Sequence, residues 1–311
     1  MTFRYLCRSI LTWLFLVPLT GCLFRSHIVE RTPTSAPLKT ATPSELISYV
    51  ETQTAKIQSV QATVDIDTTV GGEKNGRITD YQQIRGYVLA RKPAMLRMIG
   101  LMPVVRNRAF DMVSNGEIFK LWVPPKNRFV VGRNDAETKN AKQPLENLRP
   151  QHIYDALLLR EIGASEIPVV VSGVEKIKDP KGHPVELPDY EIEVIRKNDH
   201  GGYFLSRKII FSRTDLLPHR QLIYDETGNL ATDARYDGYK DYDGVNFPSQ
   251  IEIRRPEEEY DITLTIVKLQ LNQPLPNDKF VLDQPPGAEV IHLNEPPTSS
   301  AAGPHSISQA Y

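Results

Sequence analysis

The most constraining feature of this 311-residue sequence is a long stretch, from Val60 to Leu271, in which apolar and polar residues alternate between short turns. A period of two places apolar side chains on one face of a strand and polar ones on the other. Gly71-Gly72, Asn115-Gly116 and Asp243-Gly244 are typical of turns. The pattern therefore predicts a meandering antiparallel sheet of about a dozen strands. The predicted strands start at residue 60 and then span 81–91, 95–99, 108–114, 118–123, 128–131, 167–174, 190–196, 203–212, 221–225, 231–241, 246–254 and 260–271, with irregular segments at 135–150 and 179–188.

Two stretches have helical spacing instead. Thr42 is suited to cap a helix, Pro43 to occupy its first turn, and Glu45 to complete a capping box. Apolar residues at helical spacing extend this helix to about Ser59, and a second helix is predicted over 150–162. The first helix either packs on the core or also lines a cavity. With the sheet, these helices give an α+β fold.

The start of the chain has the organisation of a secretory leader. Arg4 and Arg8 precede a short apolar run, residues 10–19, which is too short to span a bilayer. Leu19-Thr20-Gly21-Cys22 then resembles the lipobox of bacterial lipoproteins, which implies cleavage before Cys22 and acylation of its thiol. The alternatives are an ordinary signal peptide with a chance cysteine, or an uncleaved anchor. We expect a signal peptide over 1–21, a lipidated tether over 22–41, a folded domain over 42–293 and a disordered tail over 294–311.

Composition excludes several classes of function. The formal net charge is −1, and removal of a leader with two arginines and no acid lowers it to −3, which argues against a nucleic-acid partner. Cys7 leaves with that leader, so Cys22 alone remains, and this excludes a disulfide framework and a cysteine-based metal site.

No motif of a known catalytic or metal site is present. The seven histidines are scattered, and HExxH, GxSxG, P-loop and GxGxxG patterns are absent from the sequence. Asp241-Tyr242-Asp243-Gly244 does not continue into an EF-hand loop. Tyr236, Tyr239 and Tyr242 are interpreted as sheet-packing or rim aromatics. We therefore expect no enzyme, no catalytic residue, no metal and no cofactor.

The order of these elements resembles the LolA/LolB/LppX group of periplasmic lipoprotein and lipid carriers. The resemblance covers about residues 42–293 and is carried by residues 85–93, 95–100, 271–280 and 286–288. It implies a strongly curved antiparallel sheet, an incomplete half-barrel, with amphipathic helices covering its open face. It also implies an apolar interior that accepts acyl chains.

A cavity for acyl chains needs apolar area and volume rather than precisely placed polar groups. Methionine suits such a cavity because its unbranched side chain adapts to ligand shape. The alternative is that the same residues fill a solid core. The candidate lining residues are Ile66, Val88, Leu96, Met98, Phe110 and Met112.

An apolar run joins the third and fourth predicted strands, where a turn is normally polar. It contains Leu101, Met102, Val104 and Val105. LolB-like receptors carry a protruding apolar loop at the corresponding place, which implies contact with a membrane. The alternative is that the run folds back onto the sheet as core.

Together these features predict an outer-membrane-anchored periplasmic lipoprotein that binds the acyl chains of lipids or lipoproteins, with helix displacement opening its cavity. Leu23, in place of the aspartate that commonly retains enteric lipoproteins in the inner membrane, favours the outer membrane. The expected partners are the membrane, acyl chains and a periplasmic carrier protein. The alternatives are an envelope sensor of the RseB type on the same scaffold, and a structural lipoprotein with a filled core.

Overall fold

The computed structural model describes residues 37–74, 76–134, 149–178 and 182–293. The predicted leader, Cys22, the tail over 294–311 and most of the tether and of the irregular 135–150 segment lie outside the described residues. In this part of the chain there are two α-helices, α1 (Pro43–Lys56) and α2 (Pro150–Leu157), and single 3₁₀ turns at Pro124–Lys126 and Asn277–Phe280. None of the described helices is long and apolar enough to cross a membrane.

The described strands are β1 (Ser59–Gly72), β2 (Arg77–Arg91), β3 (Met95–Leu101), β4 (Arg108–Ser114), β5 (Ile118–Val123), β6 (Arg128–Arg133), β7 (Ile167–Lys178), β8 (Pro184–Lys197), β9 (Tyr203–Ser212), β10 (Pro218–Tyr224), β11 (Leu230–Asp237), β12 (Lys240–Tyr242), β13 (Val245–Phe247), β14 (Gln250–Arg255), β15 (Tyr260–Leu271) and β16 (Glu289–His292). Fourteen of them form one sheet in the order β16-β6-β5-β4-β3-β2-β1-β15-β14-β11-β10-β9-β8-β7, and β12 and β13 form a separate hairpin. Among the described strands, the two at the ends of the large sheet do not pair with each other. The sheet is therefore open, and the described part of the chain is rich in strands and has two α-helices, as the α+β prediction requires.

The sheet curves around α2. This helix contacts β3 and β4 on one side and β14 on the other. Four strand spacings of about 4.8 Å separate β3 from β14, or about 19 Å in a flat sheet, whereas α2, with eight residues, is about 12 Å long and about 10 Å across. One short helix can contact both strands only because the sheet bends towards it.

The core lies on the concave face. Alternate residues of β1, β2, β3 and β15 point inward, as the period-two pattern predicts, and the buried residues of α2 join them in one apolar cluster. A second cluster lies beneath α1, where Leu46 and Val50 pack against Ile192, Ile209 and Phe211 of β8 and β9. Each helix thus buries its apolar stripe on a different half of the sheet.

The start of α1 confirms the capping-box prediction. The Thr42 hydroxyl accepts a hydrogen bond from the Glu45 backbone N–H at 3.3 Å, and the Glu45 carboxylate accepts one from the Thr42 N–H at 2.7 Å. The helix ends at Lys56 rather than at Ser59, because Ile57 is extended and Ser59 already begins β1.

The prediction that α2 extends to Ile162 is wrong. The helix ends at Leu157, and the guanidinium group of Arg207 in β9 donates to the carbonyl oxygens of Arg160 and Glu161 at 2.6 and 2.7 Å. These carbonyls therefore bond across to the sheet instead of along a helix.

Several predicted strand boundaries also need correction. Gly71 and Gly72 are not a turn but the paired end of β1, so the turn follows them. The described part of the predicted 179–188 loop, from Pro184, is the start of β8 and pairs with β7. The predicted 231–241 strand breaks at Gly238, whose φ of 63° belongs to a turn, and the predicted 246–254 strand breaks after Phe247.

The antiparallel prediction fails at one edge. β16 pairs with β6 in parallel, from Glu289↔Arg128 to His292↔Val131. The chain reaches this edge along the outer face of β2 to β6, where Arg97 and Lys120 donate to the carbonyl oxygens of Lys279 and Leu282 at 3.0 and 3.1 Å.

Candidate functional site

A cavity of about 300 Å³ opens on the concave face between β1 to β5, β15 and α2. Its inner end is apolar and closed by buried side chains, and its mouth is exposed. The inner end is lined by Ile66, Met98, Met112, Leu121, Ile153 and Ile262, and the mouth by Tyr81, Gln82, Met102 and Lys126. The cavity therefore has an apolar inner end and a mouth that carries polar groups near solvent.

Two irregularities in strand pairing lie at this cavity. The β1–β2 register shifts between Ile66 and Thr68, and the β3–β4 register shifts between Gly100 and Leu101. Such bulges bend strands and increase their local twist. The sheet therefore bends where the cavity forms, which keeps the opposite wall at a distance.

Helix α2 forms one wall, and polar side chains on its buried face fix its position. Ile153 points into the cavity, and the Tyr154 hydroxyl donates a hydrogen bond of 2.6 Å to the carbonyl oxygen of Pro93. The His152 Nδ1 lies 3.3 Å from the Tyr260 hydroxyl of β15. Burial, followed by the charges of Arg255 and Arg149, holds the pKa of His152 well below its usual value. This histidine is therefore neutral and helps to position the helix.

The structure brings together four of the six residues that the sequence proposed for the cavity. Ile66, Met98, Phe110 and Met112 line it. Val88 and Leu96 lie on the same face of the sheet, but they are fully buried in the core away from this cavity.

Sequence reasoning missed other lining residues for two reasons. Ile84 continues the inward alternation of β2 and was detectable by that signal. Ile153 and Ile262 are far from the other lining residues in sequence, and only the curvature of the sheet brings them to the cavity.

The apolar run between β3 and β4 is a tight loop at the cavity mouth. Met102 and Pro103 line the cavity, whereas Val104 is 98% and Val105 62% exposed. The loop closes through a hydrogen bond from the Arg106 N–H to the Met102 carbonyl oxygen at 3.0 Å. Met102, Val104 and Val105 therefore lie outside the sheet, but the prediction that Leu101 belongs to the loop is wrong, because Leu101 is the last residue of β3 and pairs with Arg85 and Arg108.

Val104 is the central residue of a γ-turn. The Val105 N–H donates to the Pro103 carbonyl oxygen at 2.7 Å, and Val104 has φ of 65°. A γ-turn with positive φ is rare and strained, and a β-branched residue is particularly unfavourable there. Strain of this kind concentrates at functional sites.

A second cavity, of about 40 Å³, lies between α1 and α2. Its lining includes Tyr49, Tyr236 and Tyr239, and the Tyr236 hydroxyl has no hydrogen-bond partner among the described residues. Burial is the main cause that raises the pKa of Tyr236. The cavity has space for a water molecule or two but not for an acyl chain.

Charged side chains are mostly paired on the outer face of the sheet. Arg220 binds Asp233 through two hydrogen bonds of 2.7 and 2.8 Å and Glu175 through one of 3.1 Å. Within the described residues, no cluster of three or more histidine, cysteine, aspartate or glutamate side chains is arranged to hold a metal ion.

Comparison with known proteins gives structural matches only. No protein-family model matches the chain, and no curated protein matches it. A LolA superfamily protein from Nitrosomonas europaea matches with a TM-score of 0.48 and 13% identity, over 78% of this chain and 99% of that one. A DUF1329 family protein from Desulfovibrio piger matches with a TM-score of 0.48 and 15% identity, over 76% and 95% of the two chains.

An outer membrane lipoprotein-sorting protein domain from Vibrio parahaemolyticus also matches, with a TM-score of 0.47 and 13% identity, over 76% of this chain and 94% of that one. The resemblance to the LolA group that the sequence predicts is thus found again among solved structures. At these identities and TM-scores, the matches say nothing about what this chain binds.

Proposed function

We propose that this protein is a lipoprotein of the cell envelope that binds acyl chains in the cavity under α2. The observation that carries the proposal is the position of Met102. Its side chain lines the apolar cavity, and Val104 and Val105 of the same loop are exposed. An apolar cavity thereby opens beside two exposed apolar residues.

The chemistry of the cavity suits a hydrocarbon chain. Among the described lining residues, Lys126 at the mouth is the sole charged side chain. Each methylene transferred from water into such an interior contributes about 0.8 kcal/mol. An acyl chain has no polar groups to satisfy along its length, so apolar burial alone drives its binding. The proposed lining residues are those at the cavity, Ile66, Met98, Phe110 and Met112.

The loop is suited to brief contact with a bilayer. Full burial of a valine side chain contributes about 1.5 kcal/mol or more, so Val104 and Val105 supply a few kcal/mol together. That is enough to orient the cavity mouth towards lipid but too little to retain the protein on a membrane. Retention is assigned to the acyl chains on Cys22, because two or more anchoring signals give stable binding.

The anchoring scheme completes the proposal. The signal peptide comprises residues 1–21, the tether 22–41, the folded domain 42–293 and the tail 294–311. The protein lies on the periplasmic face of the outer membrane and receives its lipid or lipoprotein from a periplasmic carrier. Helix α2 covers the open face above the cavity and is displaced when a chain enters.

Filling the cavity tests this function. In Ala109→Trp, the indole is added at a half-buried position that lines the cavity. We expect the wild-type protein to enhance the fluorescence of an anthroyloxy fatty acid, and the variant to bind it at least tenfold more weakly. Ala55→Trp adds the same group to the exposed face of α1 and serves as the control. Equal binding by all three proteins would contradict the assignment of this cavity.

A further inference from the structure

Beneath the cavity, two neighbouring positions of the sheet are glycines and carry no side chain, and we call this pair the floor of the cavity. Gly86 of β2 and Gly100 of β3 are direct cross-strand partners. A methyl group at position 86 would lie 2.5 Å from Ile66 Cδ1, and one at position 100 would lie 2.4 Å from Phe110 Cε1 and 2.7 Å from Ile84 Cδ1. Three cavity-lining side chains therefore rest on the two glycines.

This floor sets the depth of the cavity. Ordinary van der Waals contact between carbon atoms requires about 3.5–4.0 Å, so a side chain at either glycine would displace its neighbours. The Phe110 ring and the end of Ile84 both line the cavity, so their displacement changes the space that a ligand can occupy. The space available to a ligand therefore depends on the absence of side chains at these positions.

The volume of the cavity limits how much hydrocarbon it holds. A cavity of about 150 Å³ in another protein holds one benzene molecule, with six carbons, so about 300 Å³ holds about ten to twelve carbons of a hydrocarbon chain. Two chains lying side by side would each bury only about half of that number. The cavity therefore matches most of one medium-length chain rather than the two or three chains of a lipoprotein anchor.

We propose that the cavity takes one acyl chain per protein and that the Gly86–Gly100 floor, through the Phe110 ring resting on it, determines the length of chain that is buried. This inference rests on the proposed function. It adds a stoichiometry, a class of ligand and the residues that set selectivity. Any further chain of a diacyl or triacyl ligand stays outside the cavity.

The stoichiometry is tested with saturated fatty acids of eight to sixteen carbons and with dilauroyl and monolauroyl phosphatidylglycerol. Residues 22–311 with Cys22→Ala, exported behind a cleavable signal peptide that has no lipobox, carry no covalent lipid and are measured by native mass spectrometry and by displacement of the fluorescent fatty acid. We expect one fatty acid per protein, with affinity that rises about fourfold per methylene, the equivalent of about 0.8 kcal/mol, and levels off near ten to twelve carbons. Dilauroyl and monolauroyl lipids should bind within threefold of each other.

The floor is tested with two variants of opposite effect. In Gly100→Ala, affinity should level off at a shorter chain length, because the displaced Phe110 ring occupies part of the cavity. In Phe110→Ala, affinity should level off at a longer chain length. This variant tests the floor even if Gly100→Ala does not fold. Gly173→Ala adds a methyl to a strand glycine beside Asp189 and Glu191, far from the cavity, and should leave chain-length selectivity unchanged.

The outcomes separate this inference from the proposed function. Two fatty acids per protein, or dilauroyl lipid bound more than tenfold tighter than monolauroyl lipid, would overturn the single-chain inference while acyl binding stood. Unchanged chain-length selectivity in Phe110→Ala would overturn the role of the floor. Failure of every probe to bind would contradict the proposed function and this inference together.

Discussion

The Tyr154 hydroxyl of α2 donates a hydrogen bond to the carbonyl oxygen of Pro93, 2.6 Å away in the turn between β2 and β3. It joins α2, which lines the cavity through Ile153, to the turn between two strands that also line the cavity. A hydrogen bond of this kind contributes about 1 kcal/mol net to stability. The bond therefore resists outward movement of α2, the movement that the proposed function requires when a chain enters or leaves.

Removal of this hydroxyl is expected to speed ligand release. In Tyr154→Phe, the free energy of unfolding should fall by about 1 kcal/mol, and a bound fluorescent fatty acid should dissociate severalfold faster in stopped-flow measurements. Tyr239→Phe is the matched control, because Tyr239 donates to the Pro218 carbonyl oxygen, away from this cavity. Similar acceleration in both variants would assign the effect to general destabilisation rather than to α2.

Substitution of Val104 should raise the stability of the protein and weaken its contact with a membrane. Asparagine tolerates positive φ far better than valine, so Val104→Asn should raise the free energy of unfolding by about 1 kcal/mol. The same substitution removes an apolar group that is 98% exposed, and transfer of a fatty acid to vesicles should slow. Thermal unfolding and a vesicle transfer assay measure the two effects. A variant that gains stability and transfers at the wild-type rate would argue against membrane contact by the loop.

Replacement of both Met102 and Val104 by glutamate extends this test. The charges oppose entry of the loop into a bilayer, so transfer to vesicles should fall while the far-ultraviolet circular dichroism spectrum is retained. Unchanged transfer would remove the loop from the mechanism.

The buried carboxylate of Asp111 is expected to be the costliest ion-pair partner to remove. It is fully buried and accepts two hydrogen bonds from Arg97, at 3.0 and 2.8 Å. It also forms an ion pair with Arg108 at 3.1 Å. Asp111→Ala leaves the largely buried Arg97 without its carboxylate and should cost about 3–5 kcal/mol in urea denaturation. Asp65→Ala breaks the more exposed pair with Arg85 and should cost less than about 1 kcal/mol. Equal losses would show that burial does not control the energy of these pairs.

Ionisation of Asp189 should lower the free energy of unfolding as pH rises. Burial, followed by the charges of Glu191 and Glu175, raises its pKa to about 6 in the folded chain, above the unfolded value of about 3.9. The folded state therefore holds this proton more tightly, which stabilises it below pH 4, and the contribution is lost as pH rises through about 6.

Asp189→Asn removes that dependence. The variant should be about 1–2 kcal/mol more stable than the wild type at pH 7.5 and equally stable near pH 4. Urea denaturation at several pH values provides the measurement. A variant that is less stable at neutral pH would show that the ionised Asp189 has a favourable partner.

The sequence predicted elements where a local signal was strong. The capping box at Thr42 and Glu45 predicted α1, and the alternation of Ile84, Gly86, Val88 and Ala90 predicted which face of β2 points inward. β16 was missed because its four residues have too little periodicity to distinguish them from a loop. Its pairing with β6 depends on the route of the preceding segment along the outer face.

The cavity was only partly predictable, for a physical reason. Val88 and Met98 are cross-strand partners on the same face, yet Val88 lies in solid core and Met98 lines the cavity. Their local pattern is the same. What separates them is the bend of the sheet at its bulges and the glycine pair, 86 and 100, two positions further along the strands. Apolar periodicity identifies the buried face, but it does not show whether that face is filled.

Binding of acyl chains by the cavity can be tested by native mass spectrometry of residues 22–311 with Cys22→Ala, exported behind a cleavable signal peptide without a lipobox and purified from the periplasm, followed by extraction and identification of any bound lipid. We expect a stoichiometric adduct with one acyl chain buried per protein, and loss of that adduct in Ala109→Trp. A clean apo mass, with no uptake of added fatty acid, would contradict this expectation and show that the core provides no ligand site.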